Sequence, residues 1–187
     1  MGQIDFVTGG ARSGKSTYAE RLAARTGLPV TYLATMEAGD DELRIRVERH
    51  RAQRPSTWRT VEAPRALAET IAAAPDGDAA LVDCLSLWVA NHLFDLGGDS
   101  PSGEAVEALE HALDAQTSAV LEAARRRGGP VIFVTNEVGS AIVPEFALGR
   151  IYRDLLGRVN QQVARAADRA WLLVAGRALA LPPPDES

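Results

Sequence analysis

A single cysteine, Cys84, among 187 residues leaves no partner for an intramolecular disulfide. It lies in an apolar run and is expected to be a buried, inert thiol rather than a mark of secretion. No run of about 18 apolar residues occurs, which excludes a membrane-spanning helix and any membrane insertion by that route. The opening MGQIDFVTGG lacks the basic region and long apolar core of a signal peptide, so a cytoplasmic location is expected. Phe6 stands where a myristoylation signal wants Ser or Thr. Basic charge is also in short supply. With 20 Lys and Arg against 25 Asp and Glu, the formal net charge of -5 argues against a general nucleic-acid binder, which needs a cationic excess to neutralise phosphates. A local basic patch stays open. No internal repeat is present, and a 46% hydrophobic, 24% charged composition excludes disordered, collagen-like and coiled-coil classes.

What remains is the pattern of one buried domain. Short apolar runs at Ile4–Thr8, Val30–Ala34, Ala79–Leu85, Val131–Thr135 and Trp171–Ala175 read as strands covered on both faces. Helical patterns alternate with them at Ser16–Arg25, Asp41–Gln53, Pro64–Ala74, Ser86–Leu96, Glu104–Arg127 and Phe146–Ala167. Such alternation predicts an α/β fold whose central sheet is mainly parallel and flanked by helices. GGP at Gly128–Pro130 ends the longest helix, and LGGDSPSG at Leu96–Gly103 is expected to be a surface connection. One domain is expected over residues 1–181, with 182–187 a frayed tail, because its proline run cannot continue a sheet ladder.

The clearest chemistry follows the first strand. Gly9-Gly10-Ala11-Arg12-Ser13-Gly14-Lys15-Ser16 fits G-x-x-x-x-G-K-[ST] in full, with a strand before it and a helix after it. Glycines let successive N–H groups converge on phosphate oxygens. Lys15 then adds a point charge at the β- and γ-phosphates, and the Ser16 hydroxyl is placed to ligate Mg²⁺. The plain alternative is a glycine-rich turn with an exposed lysine. A cradle of this kind needs a carboxylate at the end of another strand, and Asp83 in AALVDCLSLW holds that place, as a second Mg²⁺ ligand or as a cap on the next helix. Motif and alternation together predict a P-loop NTPase fold of the RecA-like kind.

A second stretch, DDELRIRVERHRAQRP at Asp40–Pro55, sets His50 among Arg44, Arg46, Arg49, Arg51 and Arg54. On a helix, Leu43, Val47 and His50 or Arg51 share one face, so His50 falls at the edge of an apolar stripe. Taken alone, the stretch also fits a solvated amphipathic helix whose histidine does nothing.

The blocks VTGGARSGKS, YLAT, DDE followed by RHRAQRP, WRTVEAP, DCLSLWVAN, VTNEVGSAIVPE and GRVNQ resemble, in that order, the bifunctional adenosylcobinamide kinase / adenosylcobinamide-phosphate guanylyltransferase family of cobalamin biosynthesis. The resemblance runs from Phe6 to the last predicted strand. It implies that adenosylcobinamide is phosphorylated and that GMP from GTP is then passed to adenosylcobinamide phosphate through a guanylylated histidine, here His50. Adenosylcobinamide, adenosylcobinamide phosphate and GTP are the implied small-molecule partners, with ATP a possible phosphoryl donor. By the same resemblance Ala34, Thr35 and Met36 match a nucleotide-contact segment, although Met36 stands where a small hydroxyl residue is frequent. Arg51, Ala52, Gln53 and Arg54 match a segment after the nucleophile, and Asp83 matches an acid position. Glu62 matches a guanine contact, for which a carboxylate suits the N1–H and N2–H donors of that base. Without the resemblance Glu62 is as well read as a surface strand carboxylate.

Some members of that family carry paired histidines, whereas Arg49 precedes His50 here. His92 and His111 fall outside the matching site blocks and are expected to be structural or exposed. Asn136 and Glu137 end a predicted strand at the edge where ligands bind, and suit either substrate or metal contact or loop capping. The resemblance further implies a homotrimer with active sites near subunit interfaces. Two other functions fit the cradle: a small-molecule kinase without a covalent step, and a nucleotide-dependent binding switch with no enzymatic turnover.

Overall fold

The computed structural model describes residues 2–37 and 55–184. The Asp41–Gln53 helix expected from sequence therefore lies outside the described residues, as do His50, Arg51, Ala52, Gln53 and Arg54, and residues 185–187 of the tail.

One seven-stranded sheet organises the described residues. Its strands are β1 (Ile4–Gly9), β2 (Val30–Ala34), β3 (Arg59–Glu62), β4 (Ala79–Asp83), β5 (Val131–Val134), β6 (Arg169–Val174) and β7 (Arg177–Leu181), in the spatial order β3-β2-β4-β5-β1-β6-β7. Six strands run parallel and β7 alone pairs antiparallel, with β6. The central strands β1, β4 and β5 are buried almost end to end, as their unbroken apolar runs require when helices cover both faces.

The pleat sorts side chains between two layers. Val7, Tyr32, Leu81, Ile132 and Val134 join Ala19 and Ala23 of helix α1 (Lys15–Arg25) in one core. Phe6, Leu33, Val82 and Phe133 turn to the opposite core, formed with α2 (Leu67–Ala73), α3 (Leu85–Phe94), α4 (Gly103–Arg126) and α5 (Ala147–Ala166). Among the described residues, alternate positions on the central strands thus meet one helix on one side and four on the other. Ser102 caps α4 by accepting from the Ala105 N–H at 3.2 Å, and Arg125 and Arg126 sit in its last turn, where cations suit the helix dipole.

Two strands differ from the sequence expectation by being present at all, and the expected end of a third falls short. β3 reads RTVE, too polar and short to stand out, and its register with β2 brings Ala34 level with Glu62. β7 reads RALAL and is exposed along its whole length. It returns on β6 through Ala175 and Gly176, both at positive φ of 50° and 78°. That is hairpin-turn geometry without the usual Asn-Gly or Asp-Gly signature. The run expected to reach Leu85 stops at Asp83, because α3 begins at Leu85 and Cys84 is the residue of change.

Arg127 closes the far end of the fold. Its side chain, 4% exposed, donates to the carbonyls of Ile71, Ala74, Pro75 and Asp78 at 2.8–2.9 Å, tying the exit of α4 to the loop before β4. Arg127→Met keeps an apolar stem but removes the donor to all four carbonyls, of which Pro75 O still accepts from Asp78 N–H. It is expected to lower the unfolding free energy by roughly 3 kcal/mol, read as a reduced midpoint in urea denaturation.

Candidate active site

The cradle forms where β1 runs into α1. Arg12 and Gly14 both take positive φ, 56° and 93°, the left-handed conformation with which a loop can curl around an anion. Ser13 N–H donates to Gly10 O at 3.3 Å and Tyr18 N–H to Gly14 O at 3.0 Å, closing the loop onto the first turn of the helix. Lys15, the only lysine of the chain, reaches back to Gly10 O at 3.4 Å. Ser16 stands beside it in the first turn of α1, part-exposed. The loop has no space to spare on its inner side. A Cβ on Gly9 would lie 2.5 Å from Leu173 O and 2.6 Å from Ser13 Oγ. The β6–β7 turn supplies the remaining support: Gly176 N–H donates to Ser13 O at 2.9 Å, and a Cβ on Gly14 would sit 3.3 Å from Gly176 Cα.

Asp83 ends β4, two strands across from β1, and faces the α1 side because Leu81 does and Val82 does not. Tyr32 OH donates to Asp83 Oδ2 at 2.8 Å, which fixes one carboxylate oxygen and with it the plane of the group. Burial first, then the charge of Asp83, pushes the neighbouring Cys84 thiol up to about 11, with Lys15 acting in the opposite sense. Cation and carboxylate thus act on the same thiol from the two halves of the site. Mg²⁺ commonly takes one or two protein oxygens and fills its remaining positions with waters and phosphate oxygens. Asp83 and Ser16 suit that small donor set. Among the described residues no group of three or more His, Cys, Asp and Glu side chains forms a denser cation site.

Thr35 and its neighbours occupy the end of β2. The Thr35 side chain is fully buried; its hydroxyl donates to Cys84 O and accepts from Cys84 N–H, both at 2.7 Å. Its contribution is therefore to hold the chain directly after Asp83. Ala34 and Met36 flank it in the chain, Ala34 half-buried at the strand end. Asn91 of α3 donates to both Thr35 O and Pro64 O, at 2.8 and 2.9 Å, joining the ends of β2 and β3. Glu62, exposed on β3, is four strands from β1, roughly 19 Å at ordinary strand spacing. Arg65 lies just beyond it, paired with Glu37 and held bidentately by Asp95 at 2.6 and 2.7 Å. The hydrogen bond to Asp95, then that to Glu37, raises the guanidinium above its ordinary range.

The two histidines outside the matching blocks behave as expected. His92 stacks edge-on against Trp88 with centroids 5.1 Å apart, and burial lowers its pKa. His111 is exposed on α4. Asn136 and Glu137 part company. Glu137 Oε1 accepts from Gly139 and Ser140 N–H at 2.6 and 3.1 Å and so caps its own loop. Sequence reasoning missed Tyr32, Asn91 and the Gly176 contact, because each acts across strands that lie far apart in the chain.

Comparison with known proteins supplies the chemistry that geometry alone leaves general. The family described as "CobU: Cobinamide kinase / cobinamide phosphate guanyltransferase" matches residues 5–181. The chain is 46% identical over 173 residues to the bifunctional adenosylcobalamin biosynthesis protein CobU of Escherichia coli K12, covering 91% of this chain and 95% of that protein. Its likeness to the Salmonella typhimurium LT2 protein of the same name is 47% over 174 residues, with the same coverage. The Pseudomonas aeruginosa PAO1 bifunctional protein CobP is 44% identical over 173 residues, covering 92% and 93%. Among solved structures, a prototypical ATPase from a type III secretion system superposes with a TM-score of 0.54 at 14% identity, over 93% of this chain and 51% of the ATPase. That likeness concerns the fold, which is that of a P-loop NTPase.

Gly9→Ala is expected to displace the Ser13 side of the cradle, since neither the Leu173 carbonyl nor the loop can withdraw cheaply. Titration with a fluorescent nucleoside triphosphate should show affinity weakened by about tenfold or more, roughly 1.4 kcal/mol.

Proposed function

The chain belongs to the cobinamide kinase / cobinamide phosphate guanyltransferase family, and from that membership we propose how its own residues divide the two reactions. It is an enzyme of adenosylcobalamin biosynthesis, a bifunctional kinase and nucleotidyltransferase. The observation that carries the residue assignment is the cradle of Gly9–Ser16 opening on the same face of the sheet as Asp83.

In the kinase reaction the loop of Gly10, Ala11, Arg12, Ser13 and Gly14, through the N–H groups not spent within it, and the Lys15 ammonium hold the β- and γ-phosphates of ATP or GTP. Ser16 and Asp83 hold Mg²⁺, which supplies charge neutralisation to the triphosphate when bound. The hydroxyl oxygen of adenosylcobinamide bonds to the γ-phosphorus as the bond to the bridging oxygen breaks, and the nucleoside diphosphate leaves. No protein nucleophile is needed.

Guanylyl transfer does need one. A neutral imidazole nitrogen of His50 attacks the α-phosphorus of GTP and pyrophosphate departs. The phosphate of adenosylcobinamide phosphate then attacks the same phosphorus, the phosphorus–nitrogen bond breaks, and adenosylcobinamide-GDP is released. Arg51 and Arg54 offset charge at the α-phosphate, with Ala52 and Gln53 between them on the same segment. Glu62 accepts from the N1–H and N2–H of guanine, and the strand ends carrying Ala34, Thr35 and Met36 line the path between base and phosphates. Working as a homotrimer in the cytoplasm belongs to the same proposal.

Lys15→Ala is expected to abolish both activities, because one cradle serves both triphosphate reactions; retention of either near the wild-type rate contradicts a shared site. His50→Ala should lose nearly all guanylyl transfer and keep substantial kinase activity. With α-labelled GTP and no acceptor, the wild type should retain an acid-labile, base-stable label that the variant lacks. Equal labelling of the variant would place the nucleophile elsewhere.

A further inference from the structure

β5 ends between the strand that feeds the cradle and the strand that carries Asp83. Beyond it the ladder continues, because Thr135 and Glu137 N–H still donate to Val7 O and Gly9 O at 3.0 and 3.1 Å. Phe133 packs against the four-helix core and Val134 against α1. Alternation therefore sends Thr135 to the four-helix side, where its hydroxyl donates to Asn160 Oδ1 at 2.7 Å. It sends Asn136 to the α1 side, with the cradle and Asp83. Asp83 is level with Val134, so Asn136 stands two residues, roughly 7 Å, farther out along the strand. That is the direction in which bound phosphates and their acceptor must lie.

The backbone of Asn136 is held by a neighbouring side chain, while its own amide oxygen is not engaged by any described residue. Asn160 of α5 donates to the Asn136 backbone carbonyl at 3.0 Å while accepting from the Thr135 hydroxyl, so one side chain ties both neighbouring residues to α5. Asn136 Oδ1 is itself buried and has no hydrogen-bond partner among the described residues. A buried carbonyl oxygen left in this state calls for a donor. Phosphate oxygens at neutral pH are mostly ionised and accept rather than donate. The hydroxyl of an alcohol acceptor donates.

We propose that Asn136 orients the acceptor in the phosphoryl-transfer reaction, its Oδ1 accepting the hydrogen bond of the attacking hydroxyl and turning the oxygen toward the γ-phosphorus. This rests on the reading of the cradle given under Proposed function. As the new oxygen–phosphorus bond forms and the bond to the bridging oxygen breaks, the hydroxyl proton passes to water, because an amide carbonyl is too weak a base to keep it. The guanylyl reaction brings only nucleophiles without that proton, a ring nitrogen and then a phosphate. Asn136 accordingly serves one of the two activities.

The test uses the full chain with Asn136→Ala and, keeping the volume, Asn136→Leu. Phosphorylation of adenosylcobinamide is followed with γ-labelled nucleotide, and guanylyl transfer with α-labelled GTP and ready-made adenosylcobinamide phosphate. Both variants are expected to lose roughly 100-fold in kinase kcat/KM, the scale of a misplaced reacting group. Guanylyl transfer and triphosphate affinity should stay within about threefold of wild type, which also reports an intact fold. Unchanged kinase activity overturns the proposal. So does parallel loss of both activities, which would make Asn136 a nucleotide-holding or structural residue. A wild-type chain that phosphorylates no adenosylcobinamide removes the underlying reading itself, and that is seen with the wild type alone.

Discussion

The close approach of the β6 backbone and the Ser13 side chain to Gly9 is the constraint from which the site follows. The Leu173 carbonyl of β6 and the Ser13 hydroxyl of the loop lie 2.5 and 2.6 Å from where a β-carbon would be. Only a residue without a side chain lets β1 pass between them and still curl into a phosphate-binding loop. The same crowding explains the hairpin formed by β6 and β7. β7 buries little of itself, yet its turn brings Gly176 against Ser13 and Gly14, so the loop is braced from outside as well as from its own helix.

Polar locks then set the strand ends around that loop. Tyr32 steadies Asp83, Thr35 bridges the N–H and carbonyl of Cys84, and Asn91 spans the ends of β2 and β3. These bonds lie in or beside a buried layer, where an unpaired partner costs more than the bond itself contributes. They therefore act chiefly as position markers. A carboxylate is presented at one depth and orientation while the apolar residues of the same strands do the stabilising.

The alternation of the sheet divides labour between its faces. Four of the described helices cover one face and provide most of the core, and α1 covers the other and delivers the cradle. Asp83 and Asn136 stand on the α1 side because each comes two residues after a side chain packed there, Leu81 and Val134. Thr135 falls on the other side and is spent on Asn160.

The strand-loop-helix cradle, the acid ending β4 and five of the seven strands are legible in the sequence as local patterns, carried by apolar runs and by a motif whose spacing is dictated by phosphate geometry. The ordered blocks extend the reading to the family, because many short motifs in one order constrain more than any one of them. β3 and β7 are not legible: each is short, lacks a buried apolar run, and exists through pairing with a neighbour that the local sequence does not name. Nor are the partners of Asp83 and Thr35, since Tyr32 and Cys84 meet them only when strands about fifty residues apart are brought into register. Sequence by itself determined which chemical groups the protein has and the fold that carries them, because short-range patterning follows from helix and strand periods. Tertiary structure alone decided that Glu137 is consumed by its own loop while Asn136 is not, because which face a side chain takes, and what donor waits there, depends on contacts that no local pattern contains.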